Sequence, residues 1–202
     1  MLVEKEQLPI LFVILATLIF YTILFVKRKN YEFMIYVAVI IFFMILIIVA
    51  SKKINFPNYV LWWLAIWAIL HMSGGGLYVN GKKLYELMII QIVAEPYKIF
   101  RFDQLVHIIG FFAATLAFYY TLKPLLKEPV KRWAALSIVL TMAGLGAGAL
   151  NEVIEFTATV LVPETGVGGY ENTSLDLVAD LIGAVIATIY IQIKENNSKI
   201  KN

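Results

Sequence analysis

Two histidines and five carboxylates, set at helical spacing between residues 71 and 180, hold most of this chain's capacity for chemistry. His71 closes one apolar run, Asp103 and His107 open the next, Glu152 and Glu155 lie late in another, and Asp176 and Asp180 open the last. His71 and His107 are the only histidines, and there is no cysteine. Disulfides, thiolate metal sites and cysteine nucleophiles are thereby excluded. Imidazole plus carboxylate on facing helices is a ligand set for Zn, Mn or Fe, and carboxylate-rich bundles hold paired metals. A metal so held generates hydroxide or polarises a phosphoryl oxygen. The expected metal ligands are His71, Asp103, His107, Glu155, Asp176 and Asp180, and the expected acid–base groups are Glu152, Glu155 and Asp180. The expected cofactor is a divalent metal: Zn, Mn, Fe or Mg.

The elements that carry these residues are apolar. Of 202 residues, 61% are hydrophobic, against roughly 45–50% in soluble domains. A helix needs about 20 apolar residues to cross a bilayer. Six runs qualify: residues 8–26, 31–50, 59–72, 102–122, 133–162 and 174–193. The first is too long to be a signal peptide and lacks a cleavage site after it. The expectation is an all-α polytopic membrane bundle of six transmembrane helices, a single integral membrane domain over residues 1–202. The net charge of +3 is small, and its basic residues sit beside the spans, where they meet lipid headgroups. Nothing points to nucleic acid; the expected partner is the lipid bilayer.

With six spans, both termini and the second and fourth loops share a side carrying 10 Lys and Arg, against 7 on the other. Basic residues favour the cytoplasm, and the fifth loop, "PETGVGGYEN", has acids and no bases. Both termini are expected in the cytoplasm and the protein in the plasma membrane. The seven ionisable residues then all lie toward the outer face. Glu152 stands 19 residues past Trp133, about 28 Å along the helix at roughly 1.5 Å per residue. That is near the edge of a ~30 Å hydrocarbon core.

Residues three and four apart share a helix face. Asp103, His107, Gly110, Ala114 and Ala117 form one stripe. Gly144, Gly148, Asn151 and Glu155 form a second, with Glu152 beside it, and Asp176, Asp180, Gly183 and Ala187 a third. Each is ionisable toward the outside and small toward the inside, and small residues let membrane helices approach closely. The pattern predicts three helices tight at one end and splayed around a polar cavity at the other. The first two spans read as scaffold or lipid-facing helices. The third loop is expected to cover the cavity. Asn80-Gly81 between strand-like residues signals a short β-hairpin with a type I′ turn, and residues 87–96 suggest a short interfacial helix or strand stopped by Pro96. Gly74, Gly75 and Gly76 read as a hinge.

Structural roles compete with these. Thr173 and Asp176 resemble a capping box, and Asp103 suits a first-turn acid paired with Arg101. His107, Glu155 and Asp180 lie deeper than any cap. Burying an Asp in a membrane costs roughly 2.5–3.5 kcal/mol on insertion scales. Carboxylates sharing a cavity either hold protons or surround a cation.

The motifs "HMSGG" (71–75), "RFDQLVHIIGF" (101–111), "NEVIEF" (151–156) and "GYENTSLDLVADLIGA" (169–184) resemble an uncharacterised integral membrane family that includes the YjdF inner-membrane protein. The likeness covers about residues 71–184 and, more loosely, the whole chain. It departs at Asn151, where the family pattern has an aromatic residue, and at Asn172, where an Asp often precedes the Thr. A more distant likeness is to VanZ-like membrane proteins. Neither resemblance implies a reaction. The expected function is metal-dependent hydrolysis or transfer on a lipid or lipid-linked headgroup. The alternatives are a cation- or proton-coupled transporter or a non-enzymatic accessory membrane protein, and a polar cluster that only fixes helix register.

Overall fold

The computed structural model describes residues 4–93, 99–127 and 130–200. Its six helices are α1 (Leu8–Lys27), α2 (Tyr31–Ala50), α3 (Asn58–Gly76), α4 (Phe102–Leu122), α5 (Trp133–Leu161) and α6 (Tyr170–Ile200). Among the described residues, five of them are long and apolar enough to cross a membrane. The remaining one, α3, carries Asn58, three tryptophans and His71 and is less uniformly apolar.

Local sequence explains the boundaries. Pro9 opens α1, where a missing N–H costs nothing. The chain turns into α2 through Lys29 at φ 54°, and the Asn30 side chain caps α2 by accepting from the Phe33 amide. Between α3 and α4, β1 (Tyr78–Val79) pairs antiparallel with β2 (Lys82–Lys83). Asn80 and Gly81 have φ of 51° and 80°, the left-handed pair that a type I′ turn requires. The expected hairpin is therefore present, and a single helical turn at Leu84–Glu86 follows it.

Three expectations are corrected. The glycine triplet is no hinge: it is the last turn of α3, and all three glycines are buried. A methyl on Gly74 would strike the Tyr85 ring, one on Gly75 the Phe33 ring and one on Gly76 the Tyr21 ring. Glycine is required there because three aromatic rings pack flat on the backbone. Second, α6 begins at Tyr170 rather than near residue 174, so Asp176 stands in the second turn and is not a first-turn cap. Third, the segment after the hairpin is no independent element at its start. Leu87 accepts from the Phe102 amide at 2.8 Å, Ile89 donates to the Phe100 carbonyl, and Met88 bridges to Arg101. Pro96, its expected stop, lies outside the described residues.

The bundle centres on α4, which packs against α3, α5 and most extensively α6. The contact with α6 is at backbone distance: a methyl on Gly183 would strike the Ile108 carbonyl and come 3.0 Å from the Phe112 amide. Gly144 makes similar room for Thr115 and Ala184. Two apolar clusters flank the bundle. One, at the end away from the ionisable residues, joins Ile10, Phe56, Val60, Leu116, Leu140 and Ile191. The other, beneath the hairpin, joins Leu18, Phe25, Phe33, Val37 and Met72.

Candidate metal centre

The three predicted stripes converge. His107 is 6% exposed and Asp180 is fully buried. His107 Nδ1 lies 2.8 Å from Asp180 Oδ1, which fixes the ring and leaves Nε2 toward Asp103, 3.9 Å from its Oδ1. Gly148 permits this, since a Cβ there would come 2.6 Å from Asp180 Cγ. The close approach of α5 and α6 thus seats the carboxylate that orients the histidine of α4.

Around this pair, Gln104 Nε2 donates to Asp176 Oδ1 at 2.7 Å. Asn172 Nδ2 donates to Asp103 Oδ2 at 3.3 Å and also to Asp176 Oδ2. Arg101 donates to Asn172 Oδ1 and lies 3.7 Å from Asp103. Asn151 Nδ2 donates to Glu155 Oε1 at 3.0 Å. Among the described residues, two carboxylate oxygens are buried with no hydrogen-bond partner, Glu152 Oε1 and Asp180 Oδ2. Such orphans are costly and rare.

Two sets of three ligand atoms lie within 4.8 Å of one another: Asp103, His107 and Asp176, and His107, Glu152 and Glu155. His107 belongs to both. His71 belongs to neither: its Nδ1 is 2.5 Å from the Tyr85 hydroxyl, and its ring sits among Phe33, Tyr36 and Trp67. Burial, with the carboxylates of Asp103 and Glu155 nearby, pushes the Tyr85 phenol well above its ordinary range. The phenol keeps its proton, and its hydroxyl pairs with His71 Nδ1.

Beside the cluster is a cavity of about 50 Å³, reached by Asp103, Glu155 and Asn172 from one side and by Glu32, Tyr36 and Lys83 from the other. That is room for a few waters. Glu32 Oε2 accepts from the Gly166 amide at 2.7 Å and lies 3.8 Å from Lys83 Nζ. The hairpin and the α5–α6 connection both lie over the cavity and meet at this carboxylate.

Several of these residues escaped the sequence reading. Gln104 and Asn172 are neutral amides, invisible to a search for ionisable groups, though both lie within the quoted motifs. Asn172 stands in the sequence as a departure from the family pattern, yet it links Arg101, Asp103 and Asp176. Glu32 and Tyr36 lie in a span that reads as scaffold, yet both face the cavity from the first two turns of α2. Their signal was an acid at the start of an otherwise uncharged span.

Over residues 8–197 the sequence matches the family described as predicted membrane protein DUF2238. It is also 33% identical over 90 residues to an uncharacterised protein of Thermotoga maritima, covering 43% of this chain. That match spans only 45% of the relative's length. No solved structure matches. The VanZ-like likeness gains no support, whereas a family match over nearly the whole chain accords with the first resemblance. The chain belongs to the DUF2238 family of membrane proteins.

Proposed function

We propose that the protein is a membrane-embedded, metal-dependent enzyme that hydrolyses or transfers a lipid or lipid-linked headgroup. The observation that carries this reading is the orphaned buried oxygen Glu152 Oε1, on a carboxylate that converges with Glu155 on an oriented histidine. A structural network would satisfy its buried acceptors, while a cation site holds acceptors open for the ion. The donor set fits a divalent metal: one imidazole nitrogen and several carboxylate oxygens at converging distances.

In this reading His107 Nε2 ligates, with Asp103 and Asp176 or with Glu152 and Glu155. Asp180 is a positioning residue. It accepts the Nδ1 proton of His107, the carboxylate–histidine arrangement that orients metal-bound imidazoles. A bound metal would supply an activated water and a Lewis acid. Glu155, at the boundary between cluster and cavity, is placed to take the proton from a water entering there. Gln104 and Asn172 hold Asp176 and Asp103 in register.

Metal analysis of the purified protein tests this. The expected result is a bound divalent transition metal, lost in His107→Ala, with thermal stability that rises on adding that metal. The absence of both bound metal and metal-dependent stabilisation would sink the reading. Transport fits less well. Beneath Asp180, Leu116, Leu140 and Ala184 are buried and apolar, and Thr115 spends its hydroxyl on the Phe111 carbonyl. Lysine and arginine placement supports a cavity at the outer face of the plasma membrane with both termini cytoplasmic. A C-terminal tag reached from outside intact cells would overturn that orientation.

A further inference from the structure

The cavity differs in character from the carboxylate cluster beside it. Its walls combine four acids, Glu32, Glu86, Asp103 and Glu155, with the rings of Phe33, Tyr36 and Tyr85. Acids and aromatic faces together are the environment that holds organic cations. A cation is already there: Lys83 Nζ lies 5.9 Å from the centre of the Phe33 ring and 3.8 Å from Glu32 Oε2. Both contacts are loose. The second exceeds hydrogen-bonding distance, and the lysine side chain keeps 22% of its exposure. Gly166 makes room for the ammonium, because a Cβ there would strike Nζ.

One polar group in the wall is held only weakly. Tyr36 is 5% exposed; its hydroxyl faces Glu32, with Glu152 and Glu155 nearby, but makes no hydrogen bond of normal geometry. A primary ammonium brings three N–H donors, enough for a carboxylate, this hydroxyl and one more oxygen. A quaternary ammonium brings none. An anionic group would meet four acids and one lysine.

We propose that the cavity binds a primary ammonium group and that Lys83 is a tethered stand-in which this group displaces. Glu32 and Tyr36 receive the N–H donors, and Phe33 covers the charge. The inference rests on the headgroup reading above and narrows it to amine-bearing headgroups of the ethanolamine kind. A free amine of the same chemistry is the other source.

The test is calorimetric titration of the full-length protein in phosphatidylglycerol nanodiscs with ethanolamine, glycerophosphoethanolamine, choline and glycerophosphoglycerol. Ethanolamine compounds are expected to bind at least about ten-fold tighter than choline. If Lys83 holds the site nine-tenths of the time, it masks about ten-fold of affinity. K83M and K83Q should therefore tighten ethanolamine binding about ten-fold, and E32Q should weaken it by as much. Thermal unfolding confirms that each variant is folded; where one lysine variant is not, the other decides. No ethanolamine binding, tighter choline binding, or unchanged or weaker binding in the folded lysine variant would overturn the proposal. Preference for glycerophosphoethanolamine over ethanolamine indicates a lipid source, and the reverse a free amine. Metal content measured on the same samples keeps the two ideas separate. Ammonium binding without metal removes only the metalloenzyme, and metal without ammonium binding removes only this inference.

Discussion

The two halves of the bundle touch in different ways. Between α4, α5 and α6 the contacts are backbone against small side chain: Gly183 on Ile108, Gly144 on Thr115 and Ala184, and Gly148 on the carboxylate of Asp180. Helix α2 meets α1 and α3 through large rings, Phe33 against Phe25 and Tyr36 against His71. Past Ile40 only Met44, Ile47 and Ala50 still pack on the core clusters, and Ile41, Phe42, Phe43, Ile45, Leu46 and Val49 are exposed. A small-residue contact has no slack. It sets the spacing that places His107 at 2.8 Å from Asp180, and a one-ångström change would undo the bond. A contact made by long side chains adjusts by rotamer. The histidine–carboxylate cluster lies where the helices cannot shift.

That contrast yields graded expectations. The largest effect should follow Gly183→Leu, because the neighbour is backbone and cannot yield. A loss of about 3 kcal/mol or more is expected, read as a collapse of thermal stability in detergent. Unchanged stability would mean that the α4–α6 contact is misjudged. Next comes Asp180→Asn, which keeps the shape but removes the charge behind His107. Metal affinity should fall about ten- to a hundred-fold while the melting temperature of the metal-free protein moves little. Competition with a chromogenic chelator measures the first, and an unchanged affinity would deny Asp180 its positioning role.

Asn172→Asp should cost about 1–3 kcal/mol in metal-free protein. It removes donors to Asp103 and Asp176 and adds an acid among acids. Added divalent metal should return part of the loss, and melts with and without metal check this. The smallest effects belong to surfaces facing lipid. Phe42→Ala, at a residue 62% exposed, should stay within about 0.5 kcal/mol. Gly146→Ala, where a Cβ meets nothing within 4 Å, should be neutral or gain up to about 1 kcal/mol. A large loss at either site would mean that a further helix or subunit covers it.

The sequence showed some of this readily. Uncharged runs in a membrane protein have few alternatives to a helix, so all six helix starts were foreseeable to within four residues, and five of them to within one. Helical spacing alone put Asp103 with His107, and Asp176 with Asp180, on common faces. It could not show which residues on different helices would pair. Gln104 meeting Asp176 and Asn172 meeting Asp103 depend on how far α4 and α6 are rotated, a property of their contact and not of either segment. The glycine triplet illustrates the same limit. Three glycines in a row are compatible with a hinge, and only the rings of Tyr21, Phe33 and Tyr85 lying on them make them a packed helix end.

Glu32 has a consequence for access. One carboxylate oxygen holds the Gly166 amide of the α5–α6 connection and attracts Lys83 of the hairpin. A single side chain thus touches two segments 83 residues apart in sequence, closely at Gly166 and loosely at Lys83. The cover of the cavity is therefore pinned from below, by the helix that otherwise gives most of its length to lipid.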